Sequence, residues 1–471
     1  MMYVLGVLAL ALGVGVSIAL HELGHMIAAK KFGVRCPQYM IGFGPTVWSR
    51  TRGETTYGVR AIPLGGFVRM IGMYPPKPVA ARAGARPGKP PSADSASADS
   101  ASVVGEGASG GRWSAMIEDA RARSLEEIGD GDRNRVFYGL SAPRKLVVLI
   151  SGPLANLAVA ALLIAGIVTI YGQAVPADGT VVTSVVQCVR PLSGGAAPDT
   201  QAPCTAADTP SPAAAAGLAP GDEIVAIDGV PVARTADIAS AIRPRANQAV
   251  RLDIVRDGVS QTLTLTPIEG TLPVYDDQGN PRTGPGGAVL TERAGYVGMT
   301  NAQNTALERQ PITAVPGVVA QGVSDTAGVM LRLPQKMVDV WNAAFGSSER
   351  DLNGPISVVG VGRIAGEAAD GQIAFLKTPG QTVVFLVGLL ASLNLALFVF
   401  NLLPLLPLDG GHAAGAIWEG ARRQVARLRR RPDPGYVDVA KGLPVTYAMS
   451  MLLIGMFVLL IYADIVKPVK F

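Results

Sequence analysis

His21-Glu22-Leu23-Gly24-His25 sets two imidazoles four residues apart with a carboxylate beside the first. On an α-helix such positions share one face, one turn apart, so both rings can reach a single ion while the glutamate stands next to it as a base. This is the spacing used for zinc-assisted hydrolysis, although HExxH alone also arises by chance. Its surroundings add weight, because the motif lies in an apolar stretch. There each ionisable group costs ~2.5–3.5 kcal/mol by insertion scales, so three within one turn require a compensating role. A polar helix–helix contact is the structural alternative.

Catalytic zinc takes three protein ligands and leaves a fourth position for water. The remaining ligand is expected in a second apolar stretch ending Asn401-Leu402-Leu403-Pro404-Leu405-Leu406-Pro407-Leu408-Asp409-Gly410-Gly411-His412. Pro404 and Pro407 free backbone groups that lipid could not satisfy, which places this segment against a wet, protein-buried cavity. Asp409 is the expected partner of His21 and His25. The chain has three histidines, all in these two motifs, so His412 competes for the third position; it could also sit behind the ligands or at the cytoplasmic mouth.

Helices must carry these groups. With 49% apolar residues and a mean hydropathy of +0.32 across 471 residues, the composition indicates a membrane protein. Four stretches, roughly 4–28, 146–171, 381–403 and 443–463, can cross ~30 Å of hydrocarbon. The first lacks a basic lead and is read as a retained span rather than a signal peptide. The net charge of +5 forms no basic stripe with interleaved aromatics, which argues against nucleic acid. Segments 30–145 and 411–443 hold 18 and 7 Lys and Arg against 10 and 3 acidic residues, whereas 172–380 holds 14 against 20. Basic flanks stay cytoplasmic, so Lys30, Lys31, Arg144 and Lys145 orient the chain with 172–380 outside a multi-pass inner or plasma membrane protein.

The expected organisation is a first span over 1–30, a cytoplasmic membrane-associated β region over 31–75, and a disordered Pro/Ala/Ser-rich insert over 76–115. A cytoplasmic segment over 116–145 and a second span over 146–171 follow. An extracytoplasmic domain over 172–270, with an insert at 188–210, is joined by a connector over 271–380 to a third span over 381–410. A basic loop over 411–442 and a fourth span over 443–465 complete the chain. Ile62–Met70 alternates enough for a strand near the membrane. In the outer domain, a short helix at 212–216 closed by Gly217, a strand over 223–227, an Asp228-Gly229 turn, a helix over 235–243 and strands at 249–256 and 260–266 are expected. Cys188 and Cys204 face an oxidising exterior; a disulfide and two loop thiols are both open. Cys36 reads as a buried small hydrophobe. Trp418–Arg431 is either an amphipathic helix on the inner membrane surface or a solvated basic loop.

The 211–268 block resembles a circularly permuted bacterial PDZ domain. HELGH, Pro63-Leu64-Gly65-Gly66-Phe67, Ser151-Gly152-Pro153-Leu154-Ala155-Asn156, that block, Gly354-Pro355-Ile356 and the Asn401–His412 run together resemble the site-2 protease family, in its bacterial branch with an extracytoplasmic PDZ domain. The resemblance implies a polytopic α-helical membrane protein of about four spans with an α+β PDZ domain, Zn²⁺ on His21, His25 and Asp409, and Glu22 as catalytic acid/base. It further implies that Asn401 contacts the substrate backbone or oxyanion, and that Gly65, Gly66 and Phe67 lie in a strand pairing with unwound substrate. Implied partners are single-span membrane proteins such as anti-sigma factors, remnant signal peptides, and a peptide C-terminus at the PDZ domain. Two features depart from the family pattern: the proline-rich cytoplasmic insert, and the position of the second proline before Leu408-Asp409. The rival classes are a PDZ-bearing scaffold with a structural metal, which has no use for Glu22, and a zinc transporter or sensor, which calls for polar residues along several spans.

Overall fold

The apolar stretches are helices in the computed structural model. It describes residues 1–76, 112–189, 204, 208–274, 282, 284, 289–346, 350–351, 354–373 and 375–469. Most of the expected disordered insert at 76–115, and Asn353, therefore lie outside the described residues. Among the described residues, four helical stretches are long and apolar enough to cross a membrane: Met2–Lys31, Ala142–Tyr171, Pro379–Leu402 and Val439–Val466. Exposed Leu8, Leu12, Leu162, Met451 and Leu452 suit side chains that face hydrocarbon rather than water.

The chain forms two compact units. The first, 1–170 with 311–471, contains α1 (Met2–Lys31), β1 (Gln38–Arg52), β2 (Thr55–Arg69), α2 (Arg112–Glu126) and α3 (Ala142–Gly166), which continues as a π turn to Tyr171. Gln38–Ile41 pairs with Gly66–Arg69 on one side and with Thr56–Val59 on the other, while Thr46–Arg52 closes back on Thr55–Arg60. Gly66–Arg69 therefore forms a sheet edge, with one strand neighbour among the described residues. The Tyr39 hydroxyl donates to Ala19 O at 2.7 Å and pins this sheet to α1 just before His21.

The second unit, 171–310, contains β3 (Gln173–Val185), β4 (Cys188–Val189), β5 (Thr209–Pro210), α4 (Pro212–Ala215), β6 (Glu223–Ile227), β7 (Val230–Pro231), α5 (Thr235–Ile242), β8 (Val250–Arg256), β9 (Val259–Leu265), β10 (Ile268–Pro273), β11 (Thr291–Tyr296) and β12 (Met299–Glu308). Strands run in the order β12-β3-β6-β8-β9, with β7 on β6. Ile224, Ile238, Leu252, Ile254 and Leu265 form its core. Asp228 and Gly229 take φ of +50° and +80°, as a tight Asp-Gly hairpin turn requires. Residues 299–308, read from sequence as part of a connector, instead pair with β3 as a long edge strand. Cys188 and Cys204 are joined by a disulfide. Cys36 is buried and free, and burial pushes its thiol up to about 11, away from reactivity.

The chain then returns to the first unit through α6 (Val315–Leu331), α7 (Leu333–Phe345) and α8 (Val358–Ala369) to α9 (Pro379–Leu402), α10 (Asp409–Leu428) and α11 (Leu443–Val466). Buried Asp464 on α11 accepts from Arg350 Nη2 at 2.8 Å and from Ser357 N at 2.6 Å, fastening the Gly354-Pro355-Ile356 segment to that helix. The helix of the third span, expected over 381–410, ends at Leu402, because Pro404 cannot continue the ladder. Asp409 opens a new helix. Residues 411–428, expected as a basic loop with a helix open for Trp418–Arg431, lie in the helix Asp409–Leu428.

Candidate active site

Helical spacing places His21 and His25 on one face of α1, and both rings are buried. Asp409 reaches them from the first turn of α10. The His21 and His25 Nε2 atoms are 3.2 Å apart, and Asp409 Oδ2 lies 3.2 Å from the first and 3.3 Å from the second. A tetrahedral ion with bonds of about 2.0–2.1 Å has ligand–ligand edges of about 3.3–3.4 Å. The three separations thus match one face of such a tetrahedron, and two nitrogens with one carboxylate oxygen form a donor set suited to zinc. Among the described residues this is the group able to hold a metal.

The remaining imidazole nitrogens are also held. His25 Nδ1 lies 2.7 Å from Val148 O on α3; it donates there, which leaves the Nε2 lone pair directed at the cluster. His21 Nδ1 lies 3.1 Å from the side-chain amide of buried Asn156, also on α3, and the Asn156 Oδ1 atom has no hydrogen-bond partner. Amide nitrogen and oxygen are interchangeable by a flip. Turning the amide lets Oδ1 accept from His21 Nδ1–H. In the sequence Asn156 stands only as the last residue of the Ser151–Asn156 motif, and the signal that singles it out is an amide in an otherwise apolar span.

Close helix contact makes these bonds possible. A Cβ on Gly24 would lie 2.5 Å from Ser151 O, and one on Gly152 would lie 2.2 Å from His25 Nε2. Glu22 is half-buried beside the cluster. Gly66 lies against it, since a Cβ there would come within 2.9 Å of Glu22 Cγ, and the backbone of Val68 approaches its carboxylate. Gly65 and Phe67 flank this contact in β2. Gly410 and Gly411 let the first turn of α10 fold onto Leu402–Leu405, where a Cβ would meet backbone at 2.2 and 2.7 Å.

Two sequence candidates fall outside the three-atom group. Asn401 is half-buried in the last turn of α9. His412 lines a small cavity with Tyr138, Lys145 and Glu419, so Asp409 rather than His412 completes the cluster.

A histidine pair one turn apart on an apolar helix, with a glutamate between them in sequence and an aspartate closing the triangle, forms a group whose donor atoms and spacing suit a metal ion. The sequence model of peptidase family M50 matches residues 9–432. Zinc metalloprotease Rip1 of Mycobacterium tuberculosis (strain H37Rv) is 32% identical over 475 residues, covering 100% of this chain and 99% of that protein. Rip1 of Mycolicibacterium smegmatis is 30% identical with the same coverage, and zinc metalloprotease RasP of Geobacillus kaustophilus is 26% identical over 84% of this chain and 85% of its own length. The chain belongs to peptidase family M50, the site-2 proteases, and is a multi-pass membrane protein.

Proposed function

We propose that this intramembrane zinc protease holds its metal on His21, His25 and Asp409, and uses Glu22 as general base and then general acid on transmembrane segments of single-span proteins. The triangle of ligand atoms with 3.2–3.3 Å edges carries this reading. When bound, zinc supplies Lewis acidity that brings the ionisation of water to about pH 7 and polarises a carbonyl. Glu22 takes a proton from the attacking water and returns it to the leaving amine. Asn156 and the Val148 carbonyl hold the two imidazoles in orientation. Asn401, at the end of α9, serves the substrate backbone or the oxyanion, a contribution worth ~3–4 kcal/mol in comparable sites.

A helical substrate hides its carbonyls and must unwind before attack. The Gly66–Arg69 edge, which lies against Glu22, supports strand addition as the means of holding it extended. The unit at 171–310 we assign as an extracytoplasmic PDZ domain. Its Ala213–Gly217 helix turn, the β6–β7 hairpin, α5 and the β8–β9 pair support that assignment, and a peptide C-terminus is its expected ligand. Anti-sigma-factor-like proteins and remnant signal peptides fit a requirement for one unwound span.

Purified zinc-loaded protein in detergent, mixed with a helix-destabilised single-span reporter, should cut within the span and lose that activity to a chelator. Cleavage confined to flanking loops would contradict the proposal.

A further inference from the structure

Past the cluster, α10 runs alongside the beginning of the second span. Lys145 Nζ and Glu419 Oε2 are 2.9 Å apart, and a Cβ on Gly420 would lie 3.2 Å from Ala142 Cβ, at the first residue of α3. Gly420 is thus level with the first residue of the second span, and the residues beyond it lie past that end of the span. Trp418, Arg422, Val425 and Arg429 recur at spacings of four, three and four, which places them on one helix face. The chain then reverses: Arg430 takes φ +52°, and Arg431 N donates to Ala426 O at 2.8 Å. This turn returns Arg431 and Pro434 to the same face, and with the stripe they line a cleft. Arg423 is held by Glu419 and Asp433, but Arg422, Arg429 and Arg431 pair with no carboxylate among the described residues. Exposed Ile417, Trp418 and Leu428 border the charged group.

We infer that this cleft binds the headgroup of an anionic phospholipid, with Arg422, Arg429 and Arg431 around the phosphate and Trp418 at the acyl boundary. Guanidinium forks match phosphate oxygens, and tryptophan favours the interface between headgroup and hydrocarbon. Uncompensated cations beside exposed apolar side chains, at the depth of a span terminus, complement a lipid better than a soluble anion. The site stands independently of the proposed chemistry, and its test reads lipid rather than cleavage.

The full chain is placed in phosphatidylcholine nanodiscs containing equal amounts of either brominated phosphatidylglycerol or brominated phosphatidylcholine. The Trp418 signal is taken as the difference between the parent and Trp418→Phe. Brominated phosphatidylglycerol should quench it more strongly, and that preference should fall roughly fivefold for each arginine replaced among Arg422→Gln, Arg429→Gln and Arg431→Gln. A variant carrying Arg427→Gln and Arg430→Gln, which leaves the cleft arginines in place, should keep it. Equal quenching by both lipids, equal loss in the two variant sets, or displacement by inorganic phosphate would each overturn the assignment.

Discussion

His25 Nε2 and Asp409 Oδ2 lie 3.3 Å apart although 384 residues separate them in sequence. That contact exists because α3 is wedged against both partners: its Val148 carbonyl orients His25, and its Lys145 pairs with Glu419 on the helix that Asp409 begins. The cluster therefore depends on α3, which contributes none of its three atoms.

Asn156→Ala should weaken zinc binding by about 10–100-fold, the usual cost of losing a group that orients a metal-ligating histidine. Competition with a chromogenic chelator measures it. Asn156→Asp, which keeps an acceptor for His21 Nδ1–H, should recover most of the affinity, whereas a purely packing role would leave both variants alike.

Gly152→Ala puts a methyl group where His25 Nε2 now lies, 2.2 Å from the ideal Cβ. Overpacking of this kind costs ~1–3 kcal/mol. The variant should show a lower thermal midpoint in detergent and reduced zinc occupancy, with helical content unchanged by circular dichroism.

The Lys145–Glu419 pair is buried on both sides, with side chains 7% and 3% exposed. Removing Glu419 strands the Lys145 charge in a dry site and should destabilise by ~3–5 kcal/mol, whereas without Lys145 the Glu419 carboxylate keeps Arg423 at 3.1 Å. Lys145→Met combined with Glu419→Met should cost less than Glu419→Met alone. Unfolding of the three variants in mixed micelles measures the coupling.

Asp222 in the 171–310 unit accepts from Arg256 Nε at 2.6 Å and Nη2 at 2.7 Å, and from Ala219 N at 2.8 Å. The Arg256 bond holds its carboxyl below the ordinary carboxylate range. The folded value is depressed, so the stabilisation is full above the unfolded value of about 4 and is lost as pH falls through the folded one. Asp222→Asn should lower the stability of this unit near neutral pH by ~1.5–3 kcal/mol and flatten its acid dependence. Hydrogen exchange of β6 and β8 in the full chain reads both effects.

The four spans, the histidine face and Asp409 were legible because each rests on local pattern: apolar runs, an i,i+4 spacing, and prolines that end a helix. The β6–β9 elements were legible for the same reason, through Gly217 and the Asp228-Gly229 turn. Pairings between distant residues were not. Nothing local marks Met299–Glu308 as the partner of Gln173–Val185, and Asn156 acquires meaning only when α3 packs on α1. The Gly-Gly start of α10 concealed a helix for a related reason. Those glycines weaken intrinsic propensity, while their closeness to Leu402–Leu405, visible only in the fold, demands them. The paired state of Cys188 and Cys204 also depends on geometry that spacing leaves open.

The most direct measurement pairs zinc content with cleavage in Glu22→Gln. The account predicts a protein that retains one zinc per chain, while cleavage of the single-span reporter falls by at least ~100-fold, the scale of a lost general acid–base. Retained zinc with undiminished cleavage would contradict the role given to Glu22. A parent chain that binds zinc yet cuts no helix-destabilised reporter would contradict the catalytic reading of the whole site.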